Sequence, residues 1–246
     1  LQRLNPAEIL IHDEINNNEI LARSGVRRRP AWEYDQETAM RLLTQQFNCR
    51  DLSSFGCAHL VLAIAAAGCL LQYTKETQRA ALPHIRKLIH ERREDSVILD
   101  AATRRNLEIN TNITGGCKHT LMWIMDKTKT AMGTRLLLRW LNRPLTDRSV
   151  LQQRQMTVKT FLTDYRFEPL QETLKQVGDM ERILARIALR SARPRDLSRL
   201  CQSLSILPEL QQQCAKLDAQ RITELATSAG VYPELTKLLE TAIIDN

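Results

Sequence analysis

Aromatic residues make up 4% of this 246-residue sequence, and glycine and proline occur eight times each. Leu, Arg and Gln recur in their place. Straight-chain residues lose little rotamer freedom in a helix, so the balance favours helices. Long apolar runs are also missing. The longest, Leu60–Leu71, has twelve residues, whereas a membrane span takes about 20. It reads as a buried helix, and no membrane partner is expected. No signal peptide is visible. The six cysteines (Cys49, Cys57, Cys69, Cys117, Cys201 and Cys214) include no CxxC pair. Zinc wants clustered ligands, so a reduced, cytosolic protein is the simple inference. With 43% apolar and 26% charged residues, the chain is neither disordered nor a membrane protein.

What is present is a chain long enough to bury a core, with an uneven charge. Its 246 residues fit one large domain or two ordinary ones. Residues 1–80 hold nine Lys/Arg and nine Asp/Glu, and the other 26 basic and 19 acidic residues place the whole net charge of +7 in residues 81–246. A basic second half is compatible with a polyanion such as nucleic acid, and equally with no such partner.

The first stretch alternates element types. Glu8–Ile11, after Asn5-Pro6, reads as a strand, and Asn16-Asn17-Asn18 as a loop. Gly25–Pro30 reads as a basic, irregular link. Asp35–Phe47 has helical periodicity with Asp35 as its N-cap. Ser53-Ser54-Phe55-Gly56 breaks the chain, and an apolar helix follows from about His59 to Thr77. Strand plus buried helices is part of an α/β unit, since a single strand cannot make a sheet. Pro83 marks a change. Lys87–Glu91 and Ser96–Asp100, on either side of Arg92-Arg93-Glu94-Asp95, carry a hairpin or crossing-strand signal.

From Ala101 onward the pattern is helical. Asp100 caps a helix through Ile109, and Thr114-Gly115-Gly116 ends that region. Thr120–Met125 is short and apolar. Thr130 opens a helix with Met132, Leu136, Leu137, Trp140 and Leu141 on one face, which Pro144 stops. Thr146 caps the next, with Val150, Leu151, Val158, Phe161 and Leu162 inward. Met180, Ile183, Leu184, Ile187 and Ala188 form an amphipathic stripe. Pro194 opens a helix carrying Leu197, Leu200, Leu204 and Leu207. Pro208 inside it predicts a kink or break. Pro233 opens a last helix. No repeat of fixed period is found.

Few patterns carry chemistry. Thr114-Gly115-Gly116-Cys117-Lys118-His119-Thr120 only faintly resembles a phosphate loop, because it lacks the G-x-x-x-x-G-K-[ST] spacing. His84 and His90 fall on different helix faces, and no H-E-x-x-H or nucleophile–base set exists. Catalysis by this chain is therefore not expected, and neither is a metal or cofactor site. Arg27-Arg28-Arg29 reads as a solvated linker sooner than as a phosphate contact. Arg135, Arg139 and Arg143 recur every four residues, a basic helix stripe that is either an exposed polar face or a set of DNA-phosphate contacts. Arg182, Arg186, Arg190, Arg193 and Arg195 cluster near a helix end, where cations complement the helix dipole. Asp100, Arg104, Arg105, Asn106 and Glu108 crowd one short helix and read as an interdomain junction.

These residues also carry a family resemblance. Asp100–Ile109 is followed by Gly115-Gly116, by Thr128-x-Thr130-x-Met132-Gly133-x-Arg135-Leu136-Leu137 and by Trp140-Leu141-x-x-Pro144-Leu145. Next come Arg154-Gln155, Gly178-Asp179-x-Glu181-Arg182-Ile183-Leu184-Ala185-Arg186 and Ala192-Arg193-Pro194-Arg195-Asp196-Leu197. Together these resemble the core domain of the bacterial MutS family of DNA mismatch repair proteins. Upstream, Arg28-Arg29-Pro30-x-Trp32 and Gly68-Cys69-Leu70-Leu71-Gln72-Tyr73 resemble the end of its connector domain. The match is collinear over nearly the whole chain.

The resemblance implies a mainly α, multidomain fold. Residues 1–82 would be the C-terminal part of a ribonuclease-H-like α/β connector, and residues 83–246 the first part of an irregular helical core and lever domain. It implies a parent that is a homodimer, clamps mismatched double-stranded DNA, binds ATP and Mg, works with a MutL-type partner and is found in the cytoplasm with the nucleoid. The family's mismatch-reading Phe-x-Glu is absent, since Phe167 and Glu168 are adjacent, and so is its phosphate loop. The start without Met and the end at Ile243-Ile244-Asp245-Asn246, before the clamp, suggest a piece of the parent. The chain is thus expected to transmit signal between DNA clamp and ATPase, and to bind DNA weakly, with salt sensitivity and without mismatch preference. The alternative is a helical interaction module of a MutS relative acting in recombination.

Overall fold

The computed structural model describes residue 4, residues 6–79 and residues 81–243. The opening Leu1-Gln2-Arg3, Asn5 and the closing Ile244-Asp245-Asn246, which enter the sequence reading, lie outside the described residues. The chain divides into two compact units, Leu1–Glu91 and Arg92–Asn246.

The first unit is built on two short parallel strands, β1 (Ile9–His12) and β2 (Val26–Arg29), in register from Ile9 opposite Val26 to His12 opposite Arg29. A single-turn helix, α1 (Asn18–Leu21), lies between them, capped by the Asn17 side chain on the Glu19 and Ile20 amides. Gly25 admits the chain into β2, with φ at +80°, where a Cβ would sit 2.0 Å from the Ala7 carbonyl oxygen. The basic run read as an irregular link is therefore a strand. Its arginines hide it, because strand preference depends on what each face packs against more than on residue type.

Two longer helices complete this unit. Asp35 caps α2 (Gln36–Phe47) by accepting from the Thr38 amide, as the sequence indicates. The apolar helix α3 runs from Val61 to Gln78. Ala39 and Leu43 of α2 and Ile64, Cys69 and Leu71 of α3 are buried, with Leu52 and Leu82. The helices cross at Gly68, where an added Cβ would stand 2.3 Å from the Ala39 Cβ. Gln46 of α2 donates to the carbonyls of Leu82 and Ile85, which holds that stretch in the same unit.

The second unit is helical. Its elements are α4 (Ala101–Asn106), α5 (Leu121–Met125), α6 (Ala131–Asn142), α7 (Arg148–Leu162) and α8 (Phe167–Leu174), then α9 (Met180–Ala188), α10 (Pro194–Ala215), α11 (Gln220–Ala229) and α12 (Pro233–Ala242). Side-chain caps anticipated at Asp100 and Thr130 are present, and Thr120, read as the first residue of its helix, is a cap as well. The cap expected at Thr146 belongs instead to Asp147, whose carboxylate accepts from the Ser149 and Val150 amides. Thr146 is spent elsewhere, on the carbonyls of Asp95 and Glu94.

Other expectations are corrected. No strand forms over Lys87–Glu91, so there is no hairpin there. Ser96 makes an isolated antiparallel bridge with Leu145, and its partner is distant in sequence. Val158 and Leu162, expected inward on α7, are exposed. Helix α10 continues through Pro208 without a break. Burial of Leu204 and Leu207 before the proline and packing of Leu210 after it outweigh its penalty of roughly 3 kcal/mol.

Helix α10 is the centre of this unit, and α8, α9, α11 and α12 all pack on it. Ile183, Leu200, Leu204 and Leu207 form one buried cluster, joined by Met180 and Leu239. Leu170, Leu217 and Ile222 form another, joined by Phe161 and Cys214. Leu210 touches both.

Glycine inside a helix is ordinarily improved by alanine. At the α2–α3 crossing the sign reverses. Gly68→Ala is expected to destabilise the chain by about 1–3 kcal/mol through overpacking, read from urea unfolding, and Ala39→Gly in the same chain is expected to recover part of that loss. A stabilised Gly68→Ala chain would show that the helices do not cross this closely.

Candidate functional site

Arg135 and Arg139 lie one helical turn apart on α6, Arg143 is the non-helical residue that ends it, and the three side chains finish in different surroundings. Arg135 reaches the segment before α9. Its two terminal nitrogens meet the Asp179 oxygens at 2.8 and 2.7 Å, and it also donates to Glu181 Oε2 at 2.6 Å. Arg143 turns to a strap formed by residues 92–97, donating to the Arg92 carbonyl at 2.8 Å and to Ser96 Oγ at 3.3 Å. The strap is also stitched by the Val97 amide on the Pro144 carbonyl. Arg139 is exposed and makes no hydrogen bond or ion pair with the described residues. Of the three arginines weighed as DNA-phosphate contacts, two are therefore occupied by protein acceptors.

Asp179 also caps α9 through the Arg182 amide. Just before it, the Gly178 amide donates to Ser203 Oγ, buried on α10, at 2.9 Å. Farther along α9, Arg186 grips Asp196 with two bonds of 2.9 and 2.7 Å. Asp196 in turn accepts from the Arg193 amide at the start of α10. Fork-to-carboxylate pairs of this kind fix orientation as well as distance. A series of charge-assisted links therefore runs from α6 through α9 to α10. The Arg135 guanidinium holds Asp179 below the ordinary carboxylate range, and the Arg186 guanidinium does the same to Asp196.

The residues read as a junction form a local network within the second unit. Asp100 caps α4 on the Thr103 amide. Arg104 donates to the Leu99 carbonyl and to both the side chain and the carbonyl of Asn142. Asn142, buried at the end of α6, exchanges a reciprocal pair of bonds with Asn110, at 3.1 and 2.8 Å. Glu108 accepts from the Ile113 amide at 2.7 Å. Arg105 and Asn106 are exposed. Asn110 and Asn142 were missed in the sequence, where an asparagine near a helix end reads as an ordinary cap.

The loop compared with a phosphate cradle is closed on itself. The Gly116 amide donates to Asn112 Oδ1 and the Gly115 amide to the Asn112 carbonyl, so those donors do not face an anion. In the first unit, Arg27 pairs with Glu8, Arg28 with the Asp13 carbonyl, and Arg29 with Glu33 and Glu76 at 2.6 Å each. That run is a paired strand edge, and the linker reading is corrected. Among the described residues, no group of three or more His, Cys, Asp or Glu could hold a metal ion, and no helix is long and apolar enough to cross a membrane.

Two family models match this chain. One, described as MutS domain II, covers residues 1–86, and the other, described as MutS domain III, covers residues 102–246.

A depressed carboxylate contributes stability that is complete above its unfolded pKa and is lost as pH falls through the lower folded value. For Asp179 and Asp196 that window lies below about pH 4. Acid unfolding of the Arg135→Gln chain, followed by far-UV circular dichroism, is expected to show a smaller loss of stability in this window than the unsubstituted chain. Identical acid profiles would mean that the α6–α9 pair contributes nothing.

Proposed function

The chain belongs to the MutS family, and from that premise we propose that it is an internal segment of a DNA mismatch repair protein, carrying signal between the part that clamps mismatched double-stranded DNA and the part that binds and hydrolyses ATP. The observation supporting this reading is the series of charge-assisted links from Arg135 of α6 to Asp179 of α9 and from Arg186 of α9 to Asp196 of α10. Helices joined by paired hydrogen bonds move as bodies, and a body seated in two positions couples distant sites. The chain itself performs no catalysis in this reading. ATP and Mg bind elsewhere in the parent, which works as a homodimer with a MutL-type partner, in the cytoplasm on the nucleoid. DNA contact by this chain is electrostatic. It is carried by exposed cations such as Arg139 and includes no base-reading element.

In the full-length parent, Arg135→Gln is expected to cut the stimulation of ATP turnover by G·T-containing duplex about fivefold or more, while turnover without DNA stays within about twofold. Unchanged stimulation would remove the case for α6 as a transmitter. For the 246-residue chain, Arg139→Gln is expected to weaken G·T duplex and homoduplex alike and to lower the salt slope by about one. A preference of the chain for G·T duplex would contradict mismatch-blind binding.

A further inference from the structure

Two arginines of the second unit lie near each other with no carboxylate to balance them. Arg154 of α7 spreads its guanidinium over the Trp140 ring, 3.7 Å from the ring centroid. Its Nε is buried and has no hydrogen-bond partner. Arg221 lies on α11, which packs on α7, and neither arginine forms an ion pair with a described residue. Burial, and after it the like charge of Arg221, holds Arg154 below the ordinary guanidinium value. By contrast, Arg104, Arg135, Arg143 and Arg186 of the same unit all donate to carbonyls or carboxylates.

Keeping two unbalanced cations together is a poor way to stabilise a fold. Their arrangement suits an incoming anion instead. Stacking on Trp140 fixes the plane of the Arg154 guanidinium, and an oriented fork matches a carboxylate in two bonds. The rim says which kind of anion. One turn from Trp140, Arg154 and Arg221, on the same helix faces, stand Leu136, Val158 and Leu225, exposed by 47%, 56% and 57%. Trp and Arg are the anchors enriched in protein interfaces, and exposed apolar side chains beside them suit a protein partner, whereas nucleic-acid interfaces are polar and densely positive.

We propose that Trp140, Arg154 and Arg221 form a docking site for an acidic, leucine-bearing helix of a partner protein, whose carboxylate is received by the two guanidinium groups while its leucines cover Leu136, Val158 and Leu225.

The test uses the 246-residue chain and a fluorescein-labelled peptide with Glu and Leu on one helical face, read by anisotropy beside the same peptide with Gln for Glu. The Glu peptide binds, and the Gln peptide binds about tenfold or more weakly. Arg154→Gln and Arg221→Gln each weaken the Glu peptide to a similar degree, and so does Arg154→Lys, which keeps the charge without the planar fork. The thermal midpoint of Arg221→Gln stays level or rises, because a like-charge contact is removed. Equal binding of the two peptides, no binding of the Glu peptide, or wild-type affinity in both Gln variants overturns the proposal. Loss of duplex DNA binding in the variants with peptide binding intact would assign the site to phosphate. Self-association that both variants abolish in sedimentation would assign it to a second copy. Either result also overturns the proposal.

Discussion

Helix α10 runs 22 residues from Pro194 to Ala215, and four other helices of the second unit fold against it. Its length matters because both buried clusters of that unit draw on it. Leu200, Leu204 and Leu207 supply the first, and Cys214 packs at the edge of the second, with Leu210 between them. A break at Pro208 would separate the two clusters. The helix instead stays whole, since the apolar side chains flanking the proline gain more by packing than one missing backbone bond removes. Without that continuous surface, α8, α9, α11 and α12 would have no common wall.

Charge then sets how the helices are oriented. Arg135 and Arg186 reach across from their own helices to carboxylates that are already engaged as helix caps. Each carboxylate thus serves a helix terminus and a tertiary contact at once, so moving the arginine disturbs the cap. The net charge of +7 consequently overstates the positive surface offered to a polyanion. Many of the arginines that produce it face protein acceptors. Arg139 in the open, and Arg154 beside Arg221, are among those left with capacity for an outside partner.

The first unit rests on closeness more than on charge. Gly68 allows α2 and α3 to touch backbone to side chain at Ala39, and dense packing of this kind carries shape from one helix to the next. Arg29 adds a second constraint. From the end of β2 it binds Glu33, which is buried, and Glu76 of α3, and its guanidinium lies 5.3 Å from the Tyr73 ring centroid. Burial of Glu33 is tolerable because its charge is matched at hydrogen-bond distance.

Much of this was legible in the residues. The helices over 36–47, 131–142 and 180–188 follow from apolar periodicity, that over 61–78 from a continuous apolar run, and the caps at Asp35, Asp100 and Thr130 from short polar side chains placed before their helices. These are local matters, settled within a turn or two of chain. The family was legible too, because its blocks are collinear over most of the length. Missed or misread were features decided by distant partners. Strand β2 hides behind arginines that pair with Glu8, Glu33 and Glu76. The strap over residues 92–97 finds its partner at Pro144–Thr146, about fifty residues on. Helices α8 and α11 are short, eight and ten residues, and bury few side chains of their own before Leu170 and Ile222 find a common cluster. The same holds for function. A repeat of arginine every four residues is visible in the sequence, yet whether each guanidinium meets a carboxylate, a carbonyl or water depends on which helix arrives opposite it. Local chemistry was determined by the sequence alone, whereas the use made of each charge was decided only when distant segments came together.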